Sequence, residues 1–127
     1  MRTVLGYLST NCGTCHNTLS DLANLELDLK ATTLRPTTPC PTALATTLGR
    51  PGRWEVASAA PGTSRRLAPG RPELSTLLAR MKSRRPTSQM PPLGTVVVDD
   101  AAVALVTNWI KAEPTVWEAR QSGCRAQ

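Results

Sequence analysis

The stretch Asn11-Cys12-Gly13-Thr14-Cys15-His16-Asn17 places two cysteines three positions apart and follows the second at once with a histidine. His16 is the only histidine of the 127-residue chain, and Cys12 and Cys15 are two of its four cysteines. Side chains three positions apart in a helical turn lie on the same side of the backbone. The stretch therefore predicts a compact site of two thiols and an imidazole.

The C-x-x-C-H pattern formed by Cys12, Cys15 and His16 is the attachment signature of c-type haem. Thiols at this spacing can add to the two vinyl groups on one edge of a porphyrin, and the adjacent imidazole can then reach the iron. The pattern predicts one haem c, bound covalently through Cys12 and Cys15, with His16 as an axial ligand.

Two other sites are compatible with the cysteines. A C-x-x-C pair also occurs in thiol redox proteins, although a strand and a βαβ unit are expected around it, and the pattern before Cys12 is helical. The four cysteines could instead bind zinc, but structural zinc usually takes two close pairs of ligands, and Cys40 and Cys124 are far apart in sequence. Both sites remain alternatives to the haem.

A methionine in a proline-rich loop is the candidate for the second axial ligand. Met90 is followed directly by Pro91 and Pro92, which keep the segment out of regular structure and can hold a thioether rigidly. Met81 lies on an apolar helical stripe, where core packing is the expected role. We therefore expect His16 and Met90 to be the metal ligands, with Met81 as the alternative.

The apolar periodicity predicts an all-α chain with three main helices. The helical stretches are residues 3–10, a segment from Pro72 to Arg84-Arg85, and a segment capped by Asp99 or Asp100 that ends near Ala112. Abundant Thr and Pro indicate a long irregular loop insertion over residues 31–66. Residues 115–127 form a C-terminal tail, which we expect to be extended and held at Trp117. We expect residues 1–127 to form a single domain.

These features together resemble a class I c-type cytochrome. The likeness covers residues 3–18 and 67–112, and the second range is similar to cytochrome c modules at the C-terminal ends of larger secreted bacterial proteins. The matching segments are Ala68-Pro69-Gly70-Arg71-Pro72-Glu73-Leu74-Ser75, Ala79-Arg80-Met81, Met90-Pro91-Pro92-Leu93-Gly94-Thr95, Val98-Asp99-Asp100-Ala101 and Asn108-Trp109-Ile110. The resemblance implies a cytochrome c fold around one covalently bound haem, with His16 proximal and Met90 distal.

The function that this resemblance implies is electron transfer. A low-spin His/Met haem would pass single electrons, either in a shuttle or in the electron-transfer module of a larger redox protein, and we expect no enzymatic activity. A haem-based sensor or peroxidase-like enzyme is the alternative if Met90 leaves the sixth coordination site open. A structural domain built on zinc or disulfides is a further alternative.

Cys40 and Cys124 remain if the haem takes Cys12 and Cys15. The family implies haem attachment on the oxidising side of the bacterial membrane, where disulfides persist. We therefore expect a Cys40–Cys124 disulfide and a periplasmic or extracytoplasmic location, with two free thiols or a dimer through Cys124 as alternatives. The first residues contain no signal peptide, so we expect a mature form or an excised module.

The net charge of +6 suggests an acidic partner surface, on another redox protein or on a fused catalytic domain. The Arg residues are scattered and no aromatic residues interleave with them, which argues against nucleic acid. No apolar run is long enough for membrane insertion, and we expect a monomer. The chain has three Trp, one Tyr and no Phe, so the predicted haem would supply the missing aromatic core.

Overall fold

The regular structure of the chain is helical. A computed structural model describes residues 1–31, 40–112, 118 and 122–124. Its elements are α1 (Arg2–Asn11), α2 (Thr42–Ala45), α3 (Thr76–Lys82), α4 (Asp100–Ile110) and short 3-10 turns at Ala23–Leu25 and Pro72–Leu74. No strand occurs in these ranges, as the predicted all-α class requires, and none of their helices is long and apolar enough to cross a membrane.

The chain divides into two compact units. Residues 1–47 together with 115–127 form the first unit, and residues 48–114 form the second. Each unit buries its own set of mainly aliphatic side chains. The first set is Val4, Leu5, Leu8, Leu29, Cys40, Ala43 and Leu44, and the second is Leu48, Leu67, Ala68, Leu78, Met81, Ala102, Val106 and Ile110. One domain over residues 1–127 stays a prediction.

The first unit begins with the helix that the spacing of Val4, Leu5 and Leu8 predicted. These three side chains are buried on one face of α1, which confirms the helix over residues 3–10. The helix ends where Cys12 leaves helical geometry at φ −123° and ψ −31°, while its N–H still donates to the carbonyl of Leu8 at 2.8 Å. The end of α1 therefore carries the first cysteine directly into the following turn.

The predicted insertion over residues 31–66 is only partly irregular. Residues 32–39 lie outside the described ranges, but α2 begins directly after Pro41. The hydroxyl of Thr46 donates to the carbonyl of Thr42, and that of Thr47 donates to the carbonyl of Ala43. These hydroxyls satisfy carbonyl groups of a four-residue helix, and the burial of Leu44 stabilises this helix, which the Thr and Pro content alone did not predict.

A disulfide joins Cys40 to Cys124, which confirms the predicted pairing. The sulfur atoms are 1.98 Å apart and the two Cα atoms are 4.9 Å apart. The bond closes a loop of 84 positions, and chain entropy gives such a cross-link roughly 4 kcal/mol of stabilisation. Most of the 115–127 tail, including Trp117, lies outside the described residues, so its predicted extended form is not described.

The second unit corrects the predicted start of the middle helix. A 3-10 turn covers Pro72–Leu74, Ser75 is extended at φ −87° and ψ 109°, and α3 begins only at Thr76. The cause is a non-local pairing with Arg65. The N–H of Arg65 donates to the carbonyl of Leu74 at 3.0 Å, and the N–H of Thr76 donates to the carbonyl of Arg65 at 2.8 Å. These hydrogen bonds replace those that a continuous helix would make.

The last helix begins where its sequence predicted. Asp99 is the N-cap of α4, and its carboxylate accepts a hydrogen bond from the N–H of Ala102 at 2.9 Å. Ala102, Val106 and Ile110 form the buried face of the helix, which packs against α3. The cap satisfies one of the N–H groups that every helix start leaves without an intrahelical partner.

Replacement of the capping residue tests this helix. We expect Asp99→Ala to lower the free energy of unfolding by about 1 kcal/mol, because the N–H of Ala102 loses its acceptor. Asp99→Asn should retain most of the stability, since Asn caps about as well as Asp. Urea unfolding followed by far-UV circular dichroism measures both effects. Equal loss in the two variants would show that the negative charge, rather than the cap, is the stabilising feature.

Candidate functional site

The Cys12–His16 segment is a single helical turn that continues from α1. The carbonyl of Cys12 accepts hydrogen bonds from the N–H of Cys15 at 3.2 Å and from the N–H of His16 at 2.8 Å. The N–H of Gly13 donates to the carbonyls of Leu8 and Ser9, both at 3.1 Å. The turn thus places Cys12 and Cys15 on one side of the backbone, as the spacing predicted.

Side chains that follow the turn hold its carbonyl groups. The amide of Asn17 donates to the carbonyls of Gly13 at 2.8 Å and Thr14 at 2.9 Å, and its oxygen accepts from the N–H of Leu19. The hydroxyl of Ser20 donates to the carbonyl of Cys15. These bonds fix the turn from its C-terminal side without any contribution from the thiols.

Residues 28–31, which we call the strap, run across the turn within the first unit. The N–H of Leu29 donates to the carbonyl of His16 at 2.8 Å, and the N–H of Ala31 donates to the hydroxyl of Ser9 at 2.8 Å. Asp28 is held in turn by Thr46, whose hydroxyl oxygen accepts a hydrogen bond from the N–H of Asp28 at 3.2 Å. The strap therefore ties the turn to α1 and to the residue that follows α2.

Gly13 makes this close packing possible. A Cβ atom at this position would lie 2.5 Å from the carbonyl oxygen of Ser9 and 2.9 Å from the Cα of Lys30. Both obstacles are backbone atoms, which cannot rotate away as a flexible side chain can. Glycine is thus the residue that lets the turn and the strap lie against each other.

The side chains of Cys12, Cys15 and His16 differ in their exposure to solvent. Cys15 is exposed, Cys12 is half-buried, and His16 is buried at 9% exposure. Burial raises the pKa of the Cys12 thiol to about 11, and the negative charge of a neighbouring Cys15 thiolate adds to the increase. Cys12 and Cys15 are both free thiols in this structure. The turn therefore presents one accessible thiol and one sheltered thiol.

Met90 lies in the second unit, in the loop between α3 and α4. Its N–H donates to the carbonyl of Arg80 at 3.0 Å, and Nε of Arg80 donates to the carbonyl of Ser88 at 3.1 Å. The Arg80 guanidinium also lies over the Trp54 ring, 5.7 Å from its centroid, and burial lowers the pKa of Arg80. A half-buried Met90 is thus positioned through its backbone by Arg80.

The structure corrects the predicted cofactor. Nowhere in residues 1–31, 40–112, 118 and 122–124 do three or more His, Cys, Asp or Glu side chains come together in a group that could hold a metal ion. The pair of linked cysteines is Cys40–Cys124, while Cys12 and Cys15 are free thiols. These findings contradict the prediction of one haem c bound covalently through Cys12 and Cys15.

Comparison with known proteins adds no relative. No family model, curated protein or solved structure matches this chain. The resemblance to class I c-type cytochromes therefore stays a prediction from the sequence. The candidate site is defined by the geometry of this chain alone.

Residues outside the motif position the site, and only part of their role is visible in the sequence. The glycine of the motif is visible at position 13, but its close contact comes from Lys30, which is 17 residues away. The strap shows no regular apolar period, and its role depends on hydrogen bonds to His16 and Ser9. Such long-range backbone contacts leave no local pattern that a sequence can reveal.

Substitution of Gly13 tests the packing of the turn against the strap. We expect Gly13→Ala to lower the free energy of unfolding by about 1–3 kcal/mol, because the new methyl group meets fixed backbone atoms. Gly6→Ala is the matched control, since a Cβ atom at Gly6 in α1 has no heavy atom within 4 Å. The control should stabilise the protein by about 0.5–1 kcal/mol through helix propensity. Equal effects of the two substitutions in chemical denaturation would contradict the close packing.

Proposed function

We propose that this protein transfers electrons through the Cys12 and Cys15 thiols, exchanging them with a disulfide of a partner redox protein. The observation that carries the proposal is one ordered turn that holds two free thiols, one exposed and one sheltered. The proposal keeps the electron-transfer function expected from the sequence. It does not include the haem, which the finding above contradicts.

The spacing of the two cysteines supports a reversible disulfide between them. Residues three apart in a helical turn have Cβ atoms about 5–6 Å apart, and a disulfide needs about 3.5–4.5 Å. A small adjustment of the turn closes this gap. The dithiol form observed and a Cys12–Cys15 disulfide therefore differ by little backbone movement.

The unequal exposure of the thiols assigns a role to each. The Cys15 thiolate attacks one sulfur of the partner disulfide, a mixed disulfide forms, and the second partner sulfur leaves and takes up a proton. Cys12 loses its proton and attacks the Cys15 sulfur, which releases the partner as a dithiol. Two protons and two electrons leave the Cys12–Cys15 pair, and the partner disulfide gains the electrons.

Burial suits Cys12 to the second of these steps. A thiol with a pKa of about 11 is ionised in about one molecule in a thousand at pH 8, so it reacts slowly with reagents from solution. The second step is intramolecular, and proximity offsets the low thiolate fraction. The sheltered thiol is therefore protected from side reactions until a mixed disulfide stands beside it.

The surroundings of the site support an electron-transfer role outside the cytoplasm. The Cys40–Cys124 disulfide is of the kind that persists in oxidising compartments such as the periplasm. The order of α1, the C-x-x-C-H turn, α3, the Met90 loop and α4 is also the order that the resemblance to class I c-type cytochromes implies. We include in the proposal an extracytoplasmic location, a helix arrangement of that kind, and a redox partner with an acidic contact surface.

A redox titration tests the proposed couple. The protein is equilibrated with mixtures of reduced and oxidised glutathione, quenched with acid and digested with trypsin. Cleavage after Arg2 and Lys30 yields one peptide, residues 3–30, which contains Cys12 and Cys15 but neither Cys40 nor Cys124. We expect this peptide to lose the mass of two hydrogen atoms reversibly, as a two-electron couple. A peptide that stays a dithiol at every ratio, or that carries a covalently added group on both cysteines, would contradict the proposal.

Single substitutions test the two roles. With oxidised glutathione as the probe, Cys12→Ser should accumulate the mixed disulfide on Cys15, while Cys15→Ser should react far more slowly. In the wild-type protein, alkylation of Cys12 should rise about tenfold per pH unit from pH 8 and level off near pH 11, because its thiolate fraction follows the raised pKa. Peptide fragmentation assigns the modified residue. Faster alkylation of Cys12 than of Cys15 at pH 8 would reverse the assignment.

A further inference from the structure

The loop between Met90 and α4 exposes three aliphatic side chains within five residues. Leu93 is 84% exposed, Val96 is 90% exposed and Val97 is 77% exposed. Single exposed apolar residues are common on protein surfaces, but a cluster of them marks an interaction site. The adjacent α4 does not require this cluster, since its apolar face is already buried and Asp99 supplies its cap.

This loop has a defined shape. The side-chain amide of Gln89 donates to the carbonyl of Pro92 at 3.1 Å, and the hydroxyl of Thr95 donates to the carbonyl of Pro91 at 3.3 Å. Gly94 has a φ of +75°, a turn conformation that glycine adopts without strain. A surface that is already ordered loses less conformational entropy when a partner binds.

The positive charge of the protein is concentrated in the same unit. By sequence, residues 48–114 contain ten Arg and Lys residues against five Asp and Glu residues, whereas residues 1–47 and 115–127 contain five against four. Lys82 at the end of α3 and Arg85 after it are exposed, and Asp99 and Asp100 are exposed at the start of α4. Gln89 lies between the two cations and the aliphatic residues in the chain: its N–H donates to the carbonyl of Arg85 at 2.8 Å, and its side-chain amide donates to the carbonyl of Pro92.

We propose that Leu93, Val96 and Val97, with Lys82 and Arg85 at their edge, form a docking surface for an acidic protein whose contact area has an apolar centre. The aliphatic groups exclude water from the centre of the contact, and the cations select a partner of opposite charge. A second copy of this chain does not fit, because two basic units repel each other. This surface does not depend on the proposed thiol chemistry, which involves the other unit.

The test uses a synthetic helical peptide with Leu on one face and Glu on the other, titrated into the 15N-labelled full chain. Amide shifts should be confined to residues 82–98, and raising salt from about 0.05 M to about 0.3 M should weaken binding. The triple variant Leu93→Gln, Val96→Thr, Val97→Thr should bind about tenfold more weakly, because it keeps the size of the side chains and loses their apolar contact. Lys82→Glu with Arg85→Glu should weaken binding and remove its salt dependence.

Matched controls come from the other unit. Leu19 is also 90% exposed, so Leu19→Gln should leave peptide binding unchanged, as should Lys30→Glu. A peptide with Ser in place of Leu should bind about tenfold more weakly than the Leu peptide. Shifts spread over all basic residues, or equal binding of the two peptides, would overturn the proposal. Concentration-dependent self-association through these residues, or binding to phosphatidylglycerol vesicles in place of the peptide, would also overturn it.

Discussion

The contact between Gly13 and the backbone of Lys30 is the constraint on which the candidate site depends. It lets residues 28–31 cross the Cys12–His16 turn closely enough for Leu29 to donate to the carbonyl of His16. The same strap reaches Thr46, which follows α2, and α2 begins beside the disulfide-bonded Cys40. One absent methyl group thus allows the thiol turn to be held by residues 28–31 in addition to its own short-range hydrogen bonds.

The two thiols of the held turn differ in burial. Cys12 is half-buried, whereas Cys15 is exposed to solvent. Desolvation then raises the pKa of the buried thiol, since a thiolate loses more hydration on burial than a neutral thiol does. The chemical difference between two identical residues three positions apart therefore comes mainly from their unequal burial, and the charge of Cys15 adds to it.

The features that local sequence determines were predictable, and those that depend on distant backbone were not. The apolar period of Val4, Leu5 and Leu8 predicted α1, and Asp99 predicted the start of α4. The predicted start of α3 was wrong because the backbone of Arg65 forms hydrogen bonds with Leu74 and Thr76, on both sides of Ser75. No local sequence pattern indicates this long-range contact. The haem prediction extended a short motif to a complete ligand set, but the described residues contain no group of three or more His, Cys, Asp or Glu side chains that could hold a metal ion.

The shortage of aromatic residues has an explanation that needs no additional ring. Among the described residues, the buried hydrophobic side chains of each unit are drawn from Leu, Val, Ile, Ala, Cys and Met, so each unit has a small aliphatic core. A small core has few positions far from any backbone, so aliphatic side chains can fill it closely. Trp54 accordingly serves as the half-exposed platform under Arg80, where an aromatic face attracts a cation, and not as core filling. The fully buried side chains of the described residues thus include no Trp or Tyr.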